Sequence, residues 1–138
     1  MKTLPITKKD EKLIAAAREI ISKYYQYNKH GIGAALLTKS GRIFTAVHLE
    51  ANVGRIAVCA EAIVIGKAIS EGEKKFNTIV AVSHPDPDEA DQEVRIVSPC
   101  GMCRELISDY GKDIKVIFAD GDKTKKCYVL ELLPAKYV

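Results

Sequence analysis

"VSPCGMCREL", residues 97–106, sets two cysteines around a Gly-Met pair, directly after a proline. From Pro99 to Gly111 the stretch reads as a helix that proline opens and glycine stops. Cys100 and Cys103 then lie across a helix N-terminus and aim both sulfurs at one point. Unpaired backbone N–H groups and the helix dipole favour thiolate over thiol there. Thiolate is the form that binds zinc. A third cysteine, Cys59, opens another expected helix, "VCAEAIVIGKAISEG" (58–72), which ends at Gly72 and is apolar over most of its surface.

Bonding to each other, plain burial and metal binding compete as uses for these thiols. A redox Cys-x-x-Cys should follow a strand early in a βαβ unit, whereas this one lies late in the chain. A disulfide framework does not suit a chain of 138 residues in a reducing compartment. An inert core role stays open for Cys100 and Cys103. A metal is the leading reading, and three protein ligands fit a catalytic zinc, which keeps a position for water, better than a closed structural site. Cys127, in "KKCYVLELL", reads as a buried thiol, with a fourth ligand as the alternative. Glu61 follows Cys59 by two residues inside an apolar helix. It is either a solvated or ion-paired glutamate or, beside zinc-bound water, a proton carrier.

The rest of the chain supplies a frame for these helices. "TKKDEKLIAAAREIISKYYQ" (7–26) sets Leu13, Ile14, Ala17, Ile20, Ile21 and Tyr24 on one helical face, with Thr7 as N-cap and Asp10 in the first turn. "GAALLTKSGRIFTAVHLE" (33–50) reads as two strands joined at Ser40–Gly41. "NTIVAVSH" (77–84) suits a central strand, "PDPDEADQE" a polar loop, "KVIFA" a strand and "DGD" a turn. "KKCYVLELLPAKYV" predicts a last strand and a helical turn before Pro134. Strands alternating with helices favour an α/β sandwich with a mixed sheet, and the length fits one domain over residues 1–138. A formal charge of +3 names no polyanionic partner, so no nucleic acid is expected. No apolar run approaches the roughly 18 residues of a membrane span, and "MKTLPITKKDEK" is a poor signal peptide, so the expectation is a cytoplasmic protein without a membrane partner.

"CAE" (59–61) followed by "PCGMC" (99–103) resembles the zinc motif of the cytidine deaminase superfamily, H-x-E…P-C-x-x-C, in which cysteine can replace the histidine. With cysteine at position 59 the chain is similar to the free-nucleoside, three-cysteine branch. "HLEANVGRIAVCAEAI", "VSPCGMCRELISDYG" and "ELLPAKY" resemble the blasticidin S deaminase group of bacterial type. The resemblance implies a three-layer α/β/α sandwich and one catalytic Zn²⁺ per subunit on Cys59, Cys100 and Cys103. It implies Glu61 as the proton shuttle and a homotetramer with shared active-site walls. The implied reaction is hydrolytic attack at C4 of a free cytosine nucleoside, with blasticidin S first and cytidine or deoxycytidine second. A non-catalytic zinc-stabilised binding module is the remaining alternative, and nucleic-acid editing is disfavoured by the low charge.

Three thiolates on zinc leave a net charge of about −1. The two helix N-termini offset it in part, and Arg104 is expected to donate to a thiolate. Ordinary members of the branch carry Asn-x-Glu at the end of the second strand, where this chain has His48 and Glu50. They carry Phe where His30 stands, and many have Arg where Ala62 follows the glutamate. Each departure bears on cytidine turnover rather than on deamination itself. Blasticidin S has a carboxylated sugar and a guanidinium-bearing tail. His48, His30 or Arg55 is expected to meet the carboxylate, and Glu50 a cation or a hydroxyl. Ala60 and Ser98 are further expected substrate contacts, and Tyr137 is expected to reach a neighbouring site. The acidic loop of Asp86, Asp88, Glu89 and Asp91 reads as solvated.

Overall fold

The computed structural model describes residues 1–138. Its elements are α1 (Lys8–Tyr24), β1 (Ile32–Thr38), β2 (Ile43–Val47), α2 (Ala60–Ser70), β3 (Phe76–Ser83), β4 (Arg95–Val97), α3 (Gly101–Tyr110), β5 (Lys115–Asp120) and β6 (Lys123–Tyr128). Short 3-10 turns cover Gly54–Ile56 and Val129–Leu132. The sheet runs β2-β1-β3-β5-β6, and only the β3–β5 pair is parallel. β1 covers one edge of β3 along its whole length. On the other edge β5 pairs with Thr78–Val80 and β4 takes over at Ala81–Ser83. β4 was not expected from the sequence. Three residues are too few to show a period, and the strand exists because the end of β3 would otherwise be an open edge.

Alternation along the strands separates two cores. Ala35, Val80, Val82 and Ile117 face α1 through Leu13, Ile14, Ala17 and Ile21. Ala34, Leu36, Ile79, Val116 and Phe118 face α2 and α3 through Val64, Ile65, Ala68 and Ile107. This is the expected α/β/α sandwich with a mixed sheet. Gly33 allows the close approach of β1 to α1, because a Cβ there would lie 2.9 Å from the Ala17 carbonyl oxygen and from Ile21 Cβ. Gly41 makes the β1–β2 turn at φ +95°, a backbone region that favours glycine.

α1 begins with a reciprocal cap. The Thr7 N–H donates to Asp10 Oδ2 at 2.8 Å, and the Asp10 N–H donates to Thr7 Oγ1 at 3.3 Å. The same Asp10 oxygen accepts Lys126 Nζ from β6 at 2.5 Å, and both side chains are buried. Two expectations about helix faces need correction. Tyr24 is exposed, since α1 ends there and the chain turns extended. It is Tyr25 that folds inward and stacks on His84 at 3.7 Å. α2 is buried on one face only, because it is an outer layer, and Gly66, Lys67, Ile69 and Ser70 face outward.

Candidate active site

α2 and α3 start side by side above one edge of their core, and their first residues supply the site. Cys59 and Cys100 are the N-caps of α2 and α3, both in extended backbone conformation, and neither side chain caps its own helix by hydrogen bonding. Cys103 lies in the first turn of α3. The three sulfurs lie within 4.8 Å of one another, and Cys59 Sγ is 3.9 Å from Cys100 Sγ. Zinc–sulfur bonds of about 2.3 Å in a tetrahedron imply sulfur–sulfur edges of about 3.8 Å. A disulfide needs about 2.05 Å, and all four cysteines are free. The spacing, the soft thiolate donors and the two helix N-termini therefore fit one zinc ion. Burial pushes the Cys59 and Cys103 thiols up. Burial opposes ionisation of Cys100 too, but the N–H groups of Cys103 and Met102 and the neighbouring thiols bring it below its ordinary value.

Cys127 is fully buried in the α2/α3 core and is not part of this group. Burial first, and then Glu131, raise its pKa to about 11, so it stays an un-ionised thiol at neutral pH.

A cavity of about 420 Å³ opens beside the sulfurs. Cys59, Ala60, Glu61, His48, Ser98 and Cys100 line it, with apolar walls from Ile32, Ala57, Val58, Val97 and Met102. The sequence reading missed these wall residues, although Val58, Val97 and Met102 flank or lie within the cysteine motifs. Glu61 is only 6% exposed. Burial holds its carboxyl above the ordinary glutamate value, and its own backbone N–H and the Cys103 thiol offset this only in part.

Residues 7–119 match the profile of the cytidine and deoxycytidylate deaminase zinc-binding region. The chain belongs to this deaminase family. It is 54% identical over 137 residues to a blasticidin-S deaminase of Bacillus cereus, an alignment covering 99% of this chain and 98% of that one. It is 38% identical over 131 residues to a probable cytidine deaminase of Dictyostelium discoideum, covering 92% and 82%. The crystal structure of cytidine deaminase from Burkholderia pseudomallei superposes with a TM-score of 0.74 at 25% identity, covering 92% of this chain and 98% of that one. The metal centre of this family member is thus the Cys59, Cys100 and Cys103 cluster, a zinc site.

The remaining expected residues of the deaminase divide. Ala60, Ser98 and His48 line the cavity, and Ser98 Oγ donates to the Ala119 carbonyl at 2.9 Å. Glu50 is exposed at the rim, with Oε2 3.9 Å from His48 Nε2. His30 stands behind this pair, its Nδ1 donating to the His48 carbonyl at 2.8 Å, and is not a wall residue. Arg55 is exposed in the 3-10 turn, and Tyr137 is 85% exposed, away from the cavity of its own chain. Arg104 requires a correction. Its Nε donates to the Pro99 carbonyl at 2.8 Å and its Nη1 to the Leu132 carbonyl at 3.2 Å, not to a thiolate. The α3 helix carries the guanidinium away from the sulfurs, so Arg104 pins the turn before Cys100 to the C-terminal 3-10 turn.

Proposed function

We propose that this deaminase acts on a free cytosine nucleoside, with blasticidin S as its substrate and Glu61 as its proton carrier. The observation that carries the chemistry is a buried carboxyl, without a cationic partner, on the same cavity as Cys59 and Cys100 of the three-sulfur cluster. The choice of substrate rests on the full-length likeness to the Bacillus cereus blasticidin-S deaminase.

Cys59, Cys100 and Cys103 would hold zinc, which supplies Lewis acidity and lowers the pKa of water. The cavity walls sandwich the flat base and exclude bulk water, with Ala60 and Ser98 at its polar edge. Glu61 accepts a proton from the attacking water and delivers it to ring N3, then takes the second proton from the new C4 hydroxyl and passes it to the leaving amine. A C–O bond forms at C4, the C4–N bond breaks, and the products are a uracil ring and ammonia. A carboxyl with a raised pKa suits both halves of this exchange near neutral pH. His48 and Glu50 meet the sugar side, with His30 supporting them from behind.

The single domain works in a cytoplasmic homotetramer and inactivates the antibiotic for its host. Exposed Leu49, Val53, Ile56 and Met102 supply an apolar surface for such an assembly. Tyr137 then reaches the site of a neighbouring subunit.

The test is spectrophotometric deamination of blasticidin S and cytidine, side by side, by zinc-loaded protein. The expected kcat/KM favours blasticidin S by about tenfold or more. Efficient cytidine turnover with blasticidin S untouched overturns the substrate. Cytidine is the second reading, and the 38% identity to the Dictyostelium protein favours it.

A further inference from the structure

A second cavity, of about 490 Å³, opens at the other end of the sheet. β1 runs between the two, with Ile32 at the sulfur end and Leu37 and Thr38 at this one. Five lysines line it, Lys9, Lys12, Lys39, Lys115 and Lys126, against one carboxylate, Asp10. This excess of four positive charges is larger than the +3 of the whole chain, so the rest of the molecule is net negative. The lysines come from α1, the β1–β2 turn, β5 and β6, and only the fold brings them together. Converging like charges repel unless an anion offsets them. The protein offsets them in part. Asp113 and Asp10 hold Lys39 and Lys126 at 2.5 Å each, and Lys9, Lys12 and Lys115 have no acidic partner. The unspent groups are donors. The Lys126 side chain is only 8% exposed, yet its ammonium gives one N–H of three, to Asp10 Oδ2. Asn77 Oδ1 takes the Thr78 hydroxyl at 2.6 Å and Lys115 Nζ at 3.5 Å, which leaves the Asn77 amide N–H groups without a protein acceptor. A buried ammonium with unpaired N–H groups is costly, and an anion in the cavity would pair them.

We propose that this cavity is a binding site for a compact oligophosphate, free or as the tail of a nucleotide, read through its phosphates alone. Tetrahedral phosphates point oxygens in several directions and suit separate ammonium point charges. A planar carboxylate is matched best by the fork of an arginine, and no arginine lines the cavity. Leu37 and Ile43 are its only apolar lining, too little to sandwich a base. The site goes beyond the deaminase reading and does not depend on it, since neither Glu61 nor any of the three clustered cysteines lines it.

The test is isothermal titration calorimetry of the zinc-loaded full chain with sodium triphosphate. One saturable site per chain is expected, with an affinity that falls as salt rises. ATP should bind within about fivefold of triphosphate, and citrate about tenfold or more weaker. The double variant Lys9→Glu, Lys12→Glu should weaken triphosphate about tenfold or more. Lys23→Glu, Lys123→Glu makes the same change of net charge on exposed lysines outside the cavity and should stay within about threefold of wild type. Lys115→Gln, a single change in the cavity wall, should cost about threefold or more and decides if the first double variant does not fold. Elemental analysis after each titration should find zinc unchanged, which separates binding from chelation of the metal. No saturable binding, citrate as tight as triphosphate, ATP more than about tenfold tighter, equal losses in the two double variants, or heat that follows zinc release each overturns the proposal.

Discussion

Asp10 and Glu61 are both buried carboxyl groups in the first turn of a helix, 3% and 6% exposed, and their surroundings move them in opposite directions. Burial would raise Asp10, but Lys126 and the Thr7 cap outweigh it and hold the carboxyl below its ordinary value. Glu61 has no cation among its partners, so burial prevails and its value is raised. Position in a helix and degree of burial are nearly the same. The partner decides which carboxylate is a paired anion that ties α1 to β6 and which one is pushed toward its protonated form. Taking a carboxylate out of water is costly either way. Asp10 offsets that cost by pairing, while no pairing offsets it at Glu61, where burial favours the protonated form.

The largest expected effect comes from removing the Glu61 carboxyl. Glu61→Gln should lower kcat by about 10²–10⁴-fold while elemental analysis still finds one zinc per chain. Retained activity would end the distinction between the two carboxyls. The same variant should not be less stable. A raised folded pKa gives stability below the unfolded value that is lost as pH rises through the folded value, so metal-free Glu61→Gln at neutral pH should melt no lower than wild type.

Asp10→Asn should do the reverse, costing about 3–5 kcal/mol in urea unfolding because the Lys126 ammonium is left buried and unpaired. Zinc stoichiometry should stay at one per folded chain. The double variant Asp10→Leu, Lys126→Met should recover most of the loss. If it does not, the pair contributes more than mutual neutralisation.

A smaller effect follows with acid. A depressed folded pKa gives stability that is complete above the unfolded value, about 3.9, and is lost as pH falls through the folded value. Wild type should shed that contribution in this acid window, and Asp10→Asn should lack that part of the slope. The smallest change is expected for Cys127→Ala, roughly 1 kcal/mol of stability with zinc content unaltered. A loss of zinc there would mean that a buried thiol and a ligand thiol had been confused.

Much of the scaffold is readable locally. The period of apolar residues in 13–24, the cap at Thr7, the glycines at 41, 72 and 111, the turn between the two strands of 33–50 and the nearly continuous apolar run of 77–84 each describe neighbours in the chain. Those neighbours do form α1, the hairpin, α2, β3 and α3. The metal centre is also readable, because Cys-x-x-Cys at a helix start is a local device and Cys59 opens a helix in the same manner. β4 escapes, since its three residues become a strand only by completing an edge of β3. Arg104 escapes because its carbonyl partner Leu132 lies 28 residues away. The outward face of α2 escapes because hydrophobic composition does not say how many sides a layer will cover.

What the sequence by itself determined is therefore every α-helix and every strand but β4, and the grouping of the three thiols near Glu61, because caps, turns and helical spacing act over a few residues. Only the tertiary structure decided which carboxylate meets a lysine, since Asp10 and Lys126 are 116 residues apart and meet only after β6 docks beside α1. The same holds for His48, whose Nδ1 accepts from two N–H groups 16 and 17 residues earlier. Charge and hydrogen bonding act through space, and that space exists only once the sheet has aligned the strands.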